Sequence, residues 1–126
     1  MARERGPSRS GRRARAKAFY DSYMSSPAWW NFRREWYGWA KAAGEVCCKG
    51  CGKQWTLNDD LHHITYARLT KENYHDLWPL CRGCHEFVHA IIDRPGWRKV
   101  GRVQAHRAAL GALRQRRARS ETGEWQ

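Results

Sequence analysis

The 126-residue chain has no apolar run approaching the roughly 20 residues that a membrane-spanning helix needs. Its N-terminus, ARERGPSRSGRRARAK, lacks the apolar stretch of a secretory leader, so a soluble protein of a reducing compartment, the cytoplasm, is expected. Without export there is little to favour disulfides, and the five cysteines read first as metal ligands. Acidic residues are absent from 94–120, where nine Arg and Lys stand, and residues 1–17 hold one Glu against seven Arg and Lys. The net charge of +12 therefore sits in the flanks, and residues 18–93 are close to neutral. Such segregation beside eight tryptophans favours a polyanionic partner over plain solubility.

A chain of this length makes one small domain with tails. The expected division is a disordered basic tail over 1–17, a central domain with an N-terminal helix over 18–94, and a basic C-terminal helix and tail over 95–126. Ser26 followed by Pro27 is a helix start: a hydroxyl cap, then a proline whose missing N–H costs nothing there. Trp29, Phe32, Trp36, Trp39 or Ala40, and Ala43 recur at helical spacing until Gly44, which predicts a helix over 27–43 packed through its aromatic stripe. Arg33 and Arg34 lie off that stripe and are candidate phosphate contacts.

Short strands are expected at 54–57, 61–65 and 77–80, with Asn58-Asp59-Asp60 as a turn and 66–75 as a polar loop. From Arg82 the positions of Phe87, Val88, Ile91 and Ile92 are helical, stopping at Arg94-Pro95-Gly96. Val103, Leu110 and Leu113 recur among arginines over 100–119, which predicts a basic amphipathic helix docking one face and offering the other to phosphate.

Structural zinc takes four ligands, and Cys48, Cys51, Cys81 and Cys84 supply them as two C-x2-C pairs separated by residues 52–80. Cys47 is left over as a buried or idle thiol. A finger grouping of Cys48 and Cys51 with His85 and His89 would strand Cys81 and Cys84 and is rejected. The histidines then need a site of their own. His85 and His89 are four apart and share a helix face, whereas His62 and His63 are adjacent on a strand and point apart. One of that pair can ligate an ion while the other takes a proton from water.

The order C-x2-C, His-His-Ile, Asp-Leu-x-Pro-Leu-Cys-x-x-Cys-His and a further His resembles the HNH endonuclease family, in its phage and bacterial form with a four-cysteine zinc site. The match spans Cys48 to His89 and extends more weakly to residues 20–44. The resemblance implies a small α+β fold with a ββα-metal finger core, flanked by the aromatic N-terminal helix and the basic C-terminal helix. It implies His62 and His85 as ligands of one catalytic divalent cation (Mg²⁺, Mn²⁺, Ni²⁺ or Zn²⁺), His63 as general base, and His89 as the extra ligand of the histidine-rich branch that includes the colicin nucleases. Asp76 stands where the family usually has asparagine and is expected to orient the base or touch the metal, with His75 beside it a lesser candidate. Arg68 and Arg82 are expected as phosphate clamps. The implied activity is hydrolysis of DNA phosphodiester bonds in a bacterial or phage-infected cell. The competing expectation is a zinc-ribbon-like nucleic-acid-binding module that does not cut, or an accessory of phage packaging proteins.

Overall fold

The computed structural model describes residues 9–121 and consists of five helices and one two-stranded sheet. In chain order these are α1 (Arg9–Met24), α2 (Pro27–Ala43), β1 (Asp60–His63), β2 (Leu77–Leu80), α3 (Arg82–Ile92), α4 (Trp97–Val100) and α5 (Arg102–Glu121). Among the described residues, no helix is long and apolar enough to cross a membrane.

The expectation of disorder over 1–17 is corrected for residues 9–17, which form the first half of α1; residues 1–8 lie outside the described residues. Arg, Ala and Lys are good helix formers, and this run contains no proline to interrupt them. At its C-terminal end the helix is anchored by Tyr23, which is buried and donates to Glu72 Oε1 at 2.9 Å. Helix α2 has the expected bounds. Ser26 Oγ accepts from the Trp29 N–H at 3.3 Å, Pro27 follows the cap, and Gly44 at φ 71° closes the helix with its N–H on Ala40 and Lys41 carbonyls. Ser26 also donates to Tyr23 O at 2.6 Å, which ties the two helices together. Ser26→Ala is expected to lower unfolding free energy by about 1 kcal/mol, measured by urea denaturation.

The buried face of α2 is Trp29, Arg33, Trp36 and Ala40, one step round from the expected stripe, and Trp39 is exposed. Arg33 is therefore corrected from a phosphate contact to an interior residue. Its Nη2 donates to the Leu57 and Asp59 carbonyls at 2.7 and 2.6 Å, and the guanidinium lies over the Trp30 and Trp55 rings. Two backbone carbonyls that have no ladder partner accept from the cation, which offsets the cost of burying it.

Strands β1 and β2 pair antiparallel, with Asp60 opposite Leu80, Leu61 opposite Pro79, His62 opposite Trp78 and His63 opposite Leu77. The expected strand at 54–57 is reduced to one bridge, Gln54 to Cys47. Alternation gives the sheet two faces. Leu61 and Leu77 join Tyr23, Trp29, Trp36, Ala40 and Trp55 in one core. Trp78 and Leu80 join Cys48, Cys84, Val88, Ile91, Ala105, Ala109 and Leu113 in the other, between β2, α3 and α5.

Helix α5 docks through Ala105, His106, Ala109 and Leu113, while Val103, expected on that face, is exposed. Alanines allow the close approach to α3 that a row of larger side chains would block. Arg102, at the start of α5, donates from Nε to Ile64 O at 2.8 Å and from Nη2 to His63 O at 2.7 Å, holding the end of β1.

Candidate metal centres

The four cysteines Cys48, Cys51, Cys81 and Cys84 form one cluster, their sulfurs all within 4.8 Å of one another. Cys51 Sγ and Cys81 Sγ are 3.9 Å apart, close to the about 3.8 Å that sulfurs on a tetrahedral zinc adopt with bonds of about 2.3 Å. The cluster could therefore hold a metal ion such as zinc. Its geometry depends on the knuckle glycines. A Cβ at Gly50 would lie 2.7 Å from Cys84 Sγ, and Gly52 has φ 77°. At Cys48 burial, which raises a thiol pKa, is outweighed by the N–H groups of Cys81, Cys51 and Gly50, and the net shift is downward. Burial and the neighbouring Cys48 push the Cys84 thiol up. Cys47 is outside the cluster and exposed rather than buried.

A second cluster comprises His62, His85 and His89, each offering one ring nitrogen. His62 Nδ1 lies 3.1 Å from His85 Nε2, which lies 3.0 Å from His89 Nε2. β1 contributes the first ligand because His62 points to the α3 side of the sheet, and one turn of α3 supplies the other two. Three nitrogens at such spacing with no proton to share among them fit the donor set of a divalent transition ion. The outer nitrogens have acceptors. His85 Nδ1 is 2.9 Å from Asp60 Oδ2 and His89 Nδ1 is 3.1 Å from Asp93 Oδ2, so each Nδ1 carries the proton and each Nε2 keeps its lone pair. Burial, reinforced by the adjacent His85 and His106, pushes the His62 pKa down to about 2, so the ring is neutral. His85 is also shifted down by burial, against the opposing carboxylate of Asp60.

His63 points the opposite way, into the core under α1 and α2. Its side chain is 1 % exposed, its Nε2 is 2.7 Å from Glu72 Oε2, and Glu72 is itself buried. Trp29 stacks on the imidazole at a centroid distance of 4.9 Å, and Tyr20 and Tyr66 close round it at 6.0 and 5.7 Å. With Glu72 accepting from Tyr23 and from His63 Nε2–H, the free lone pair is on His63 Nδ1, which is buried without a partner. Burial lowers the His63 pKa despite Glu72.

Of the two roles expected for Asp76, touching the metal is not what the structure shows, since Asp76 is outside the histidine cluster. Its carboxylate is held by two hydrogen bonds from the Arg68 guanidinium, the Nε one at 2.7 Å, and accepts from the Asn73 N–H at 2.8 Å. The hydrogen bond to Arg68 keeps the Asp76 pKa low. Arg68 is engaged by Asp76, and its side chain stays 46 % exposed at the loop surface. Arg82 is exposed and reaches Asp60 Oδ1 at 3.3 Å, and Arg34 is exposed with its Nη1 on Asn31. His75 is exposed and outside both clusters.

Sequence reasoning missed Glu72, Asp60 and His106. Asp60 was legible: it is two residues before His62 on the same strand, hence on the same face. Glu72 and His106 carried no local signal. Comparison with protein-family models, with curated proteins and with solved structures finds no match for this chain.

Proposed function

We propose that the chain is a metal-dependent HNH-type endonuclease that hydrolyses DNA phosphodiester bonds, with β1, β2 and α3 as a ββα-metal core and zinc on the four cysteines as a brace. The observation that carries the reading is the convergence of three histidine nitrogens beside a fourth histidine that is paired with a carboxylate. A closed zinc brace or a binding module needs neither arrangement.

In this reading Glu72 holds His63 in the tautomer that bears its proton on Nε2. His63 Nδ1 accepts a proton from water as the water oxygen attacks phosphorus, the P–O3′ bond breaks, and the 3′ oxygen is protonated by solvent. The resulting ends are a 5′-phosphate and a 3′-hydroxyl. A divalent ion on His62, His85 and His89 supplies Lewis-acid stabilisation of the phosphoryl charge when bound. Arg68 and Asp76 brace the 64–76 loop against β2, and Arg102 fixes the carbonyl of the base itself. The exposed basic side chains of α1 (Arg13, Arg15, Lys17) and α5 (Arg107, Arg114) provide a salt-sensitive hold on the DNA backbone. Tyr20 and its helix must move aside for substrate to reach His63, and the largely exposed α1 has few packed side chains to prevent it.

That closed roof is also the one observation that favours a second reading. A fully enclosed His63–Glu72 pair suits a zinc-ribbon-like nucleic-acid-binding module or phage packaging accessory in which the pair is only a buried polar contact. The deciding experiment is nicking of supercoiled plasmid with Mg²⁺, Mn²⁺, Ni²⁺ or Zn²⁺, and with EDTA. Open-circular or linear product with at least one ion, abolished by EDTA and by His85→Ala, is expected. Intact plasmid with every ion overturns the nuclease reading in favour of the second.

A further inference from the structure

His106 lies on the docked face of α5, far along the chain from the other histidines, and is 3 % exposed. Its ring is packed against Trp78 and His62, at centroid distances of 5.3 and 5.2 Å. His106 Nδ1 is 2.8 Å from the carbonyl oxygen of Arg102, and His106 Nε2 is 2.9 Å from His62 Nε2.

These two contacts form a chain with one consistent assignment of protons. A carbonyl oxygen only accepts, so His106 Nδ1 must carry the hydrogen. A neutral His106 then has its lone pair on Nε2, and the hydrogen between the two rings must belong to His62 Nε2. A neutral His62 protonated on Nε2 has its lone pair on Nδ1, the atom that faces His85 Nε2 at 3.1 Å. His62 differs here from its partners: His85 and His89 present Nε2 because carboxylates accept from their Nδ1, whereas His62 has no carboxylate and presents Nδ1.

We infer that His106 is a positioning residue of the metal centre, a relay from the Arg102 carbonyl that locks His62 in its Nε2–H tautomer and aims Nδ1 at the ion. The role deepens the metal-centre reading and rests on it. It also gives α5 a second duty: besides packing in the core, the helix supplies the acceptor that sets a ligand on β1. His106 itself is not a ligand, because its nitrogen meets the far side of the His62 ring from the ion position.

The test uses the full chain with the cysteine site loaded with zinc, titrated with Co²⁺ and followed by its d–d absorption. His106→Phe keeps the ring volume and removes the acceptor. It is expected to weaken Co²⁺ binding about 10–100-fold with helix content and cysteine-bound zinc unchanged. His106→Gln, whose amide oxygen can accept from His62 Nε2–H, recovers most of that loss, which a merely space-filling role does not predict. In the metal-free wild type, ¹⁵N-resolved NMR of the imidazoles shows His62 protonated on Nε2 and bare on Nδ1. Wild-type affinity in His106→Phe, or a His62 ring protonated on Nδ1, overturns the proposal. Should His106→Phe fail to fold, the wild-type tautomer alone decides. If Co²⁺ titration of the wild type is no different from that of His62→Ala, the histidine metal site does not exist, and both readings fall together.

Discussion

Cys84→Ser is expected to unfold the centre of the chain rather than trim its stability. Cys84 is buried against Gly50, and with Cys48 and Leu113 it forms part of the core that α3 and α5 share with β2. That core rests on two strands of four residues each, too little sheet to be stable by itself. Structural zinc contributes about 10–16 kcal/mol of apparent binding energy, as much as the whole stability of about 5–15 kcal/mol typical of a domain. Losing one ligand therefore outweighs what apolar burial can restore. The expected result is loss of far-UV helix signal together with release of zinc, measured on one sample by circular dichroism and elemental analysis. Chelation of the wild type should do the same, reversibly on adding zinc back. A metal-free Cys84→Ser chain with full helix signal would show that the cluster is not a brace.

His63→Ala is expected to slow plasmid nicking about 10²–10⁴-fold, the usual contribution of a positioned general base. Metal content at both clusters should stay unchanged, since His63 belongs to neither. The substitution also leaves Glu72 with Tyr23 as its remaining side-chain partner, and a buried acceptor losing one hydrogen bond costs about 1–3 kcal/mol. Lower melting temperature is thus part of the prediction, and rates must be compared where both chains are folded. Glu72→Gln separates the two effects. Its amide keeps the packing and can still accept from His63, so stability changes little while the imidazolium formed in the reaction loses its counter-charge and the rate falls. Wild-type nicking by folded His63→Ala would remove His63 from the chemistry.

Features with local causes were readable along the chain. The bounds of α2 follow from Ser26, Pro27 and Gly44, each acting on its own neighbours. The cysteine set follows from valence and spacing, and the divergence of His62 and His63 follows from strand alternation, which sends one towards α3 and the other towards α2. The helix from Arg82 follows from its apolar period, and its four-residue spacing of His85 and His89 puts both on one face.

Features set by distant partners were not. Arg33 looked like a surface cation because charge predicts exposure, until unpaired carbonyls at Leu57 and Asp59 met it inside. Asp76 could orient the base or touch the metal by its position, but Arg68 engages both its oxygens. Residues 9–17 read as a tail because they have no apolar period, yet α1 is helical and holds through Tyr20 and Tyr23 at its other end. Which side chains can bind metal was legible along the chain, because ligand chemistry and short-range spacing are local properties. Which nitrogen each histidine presents is settled by the folded arrangement. That choice depends on what accepts the ring's other proton, and the acceptors, Asp60, Asp93, Glu72 and His106, include groups brought in from other elements of the fold.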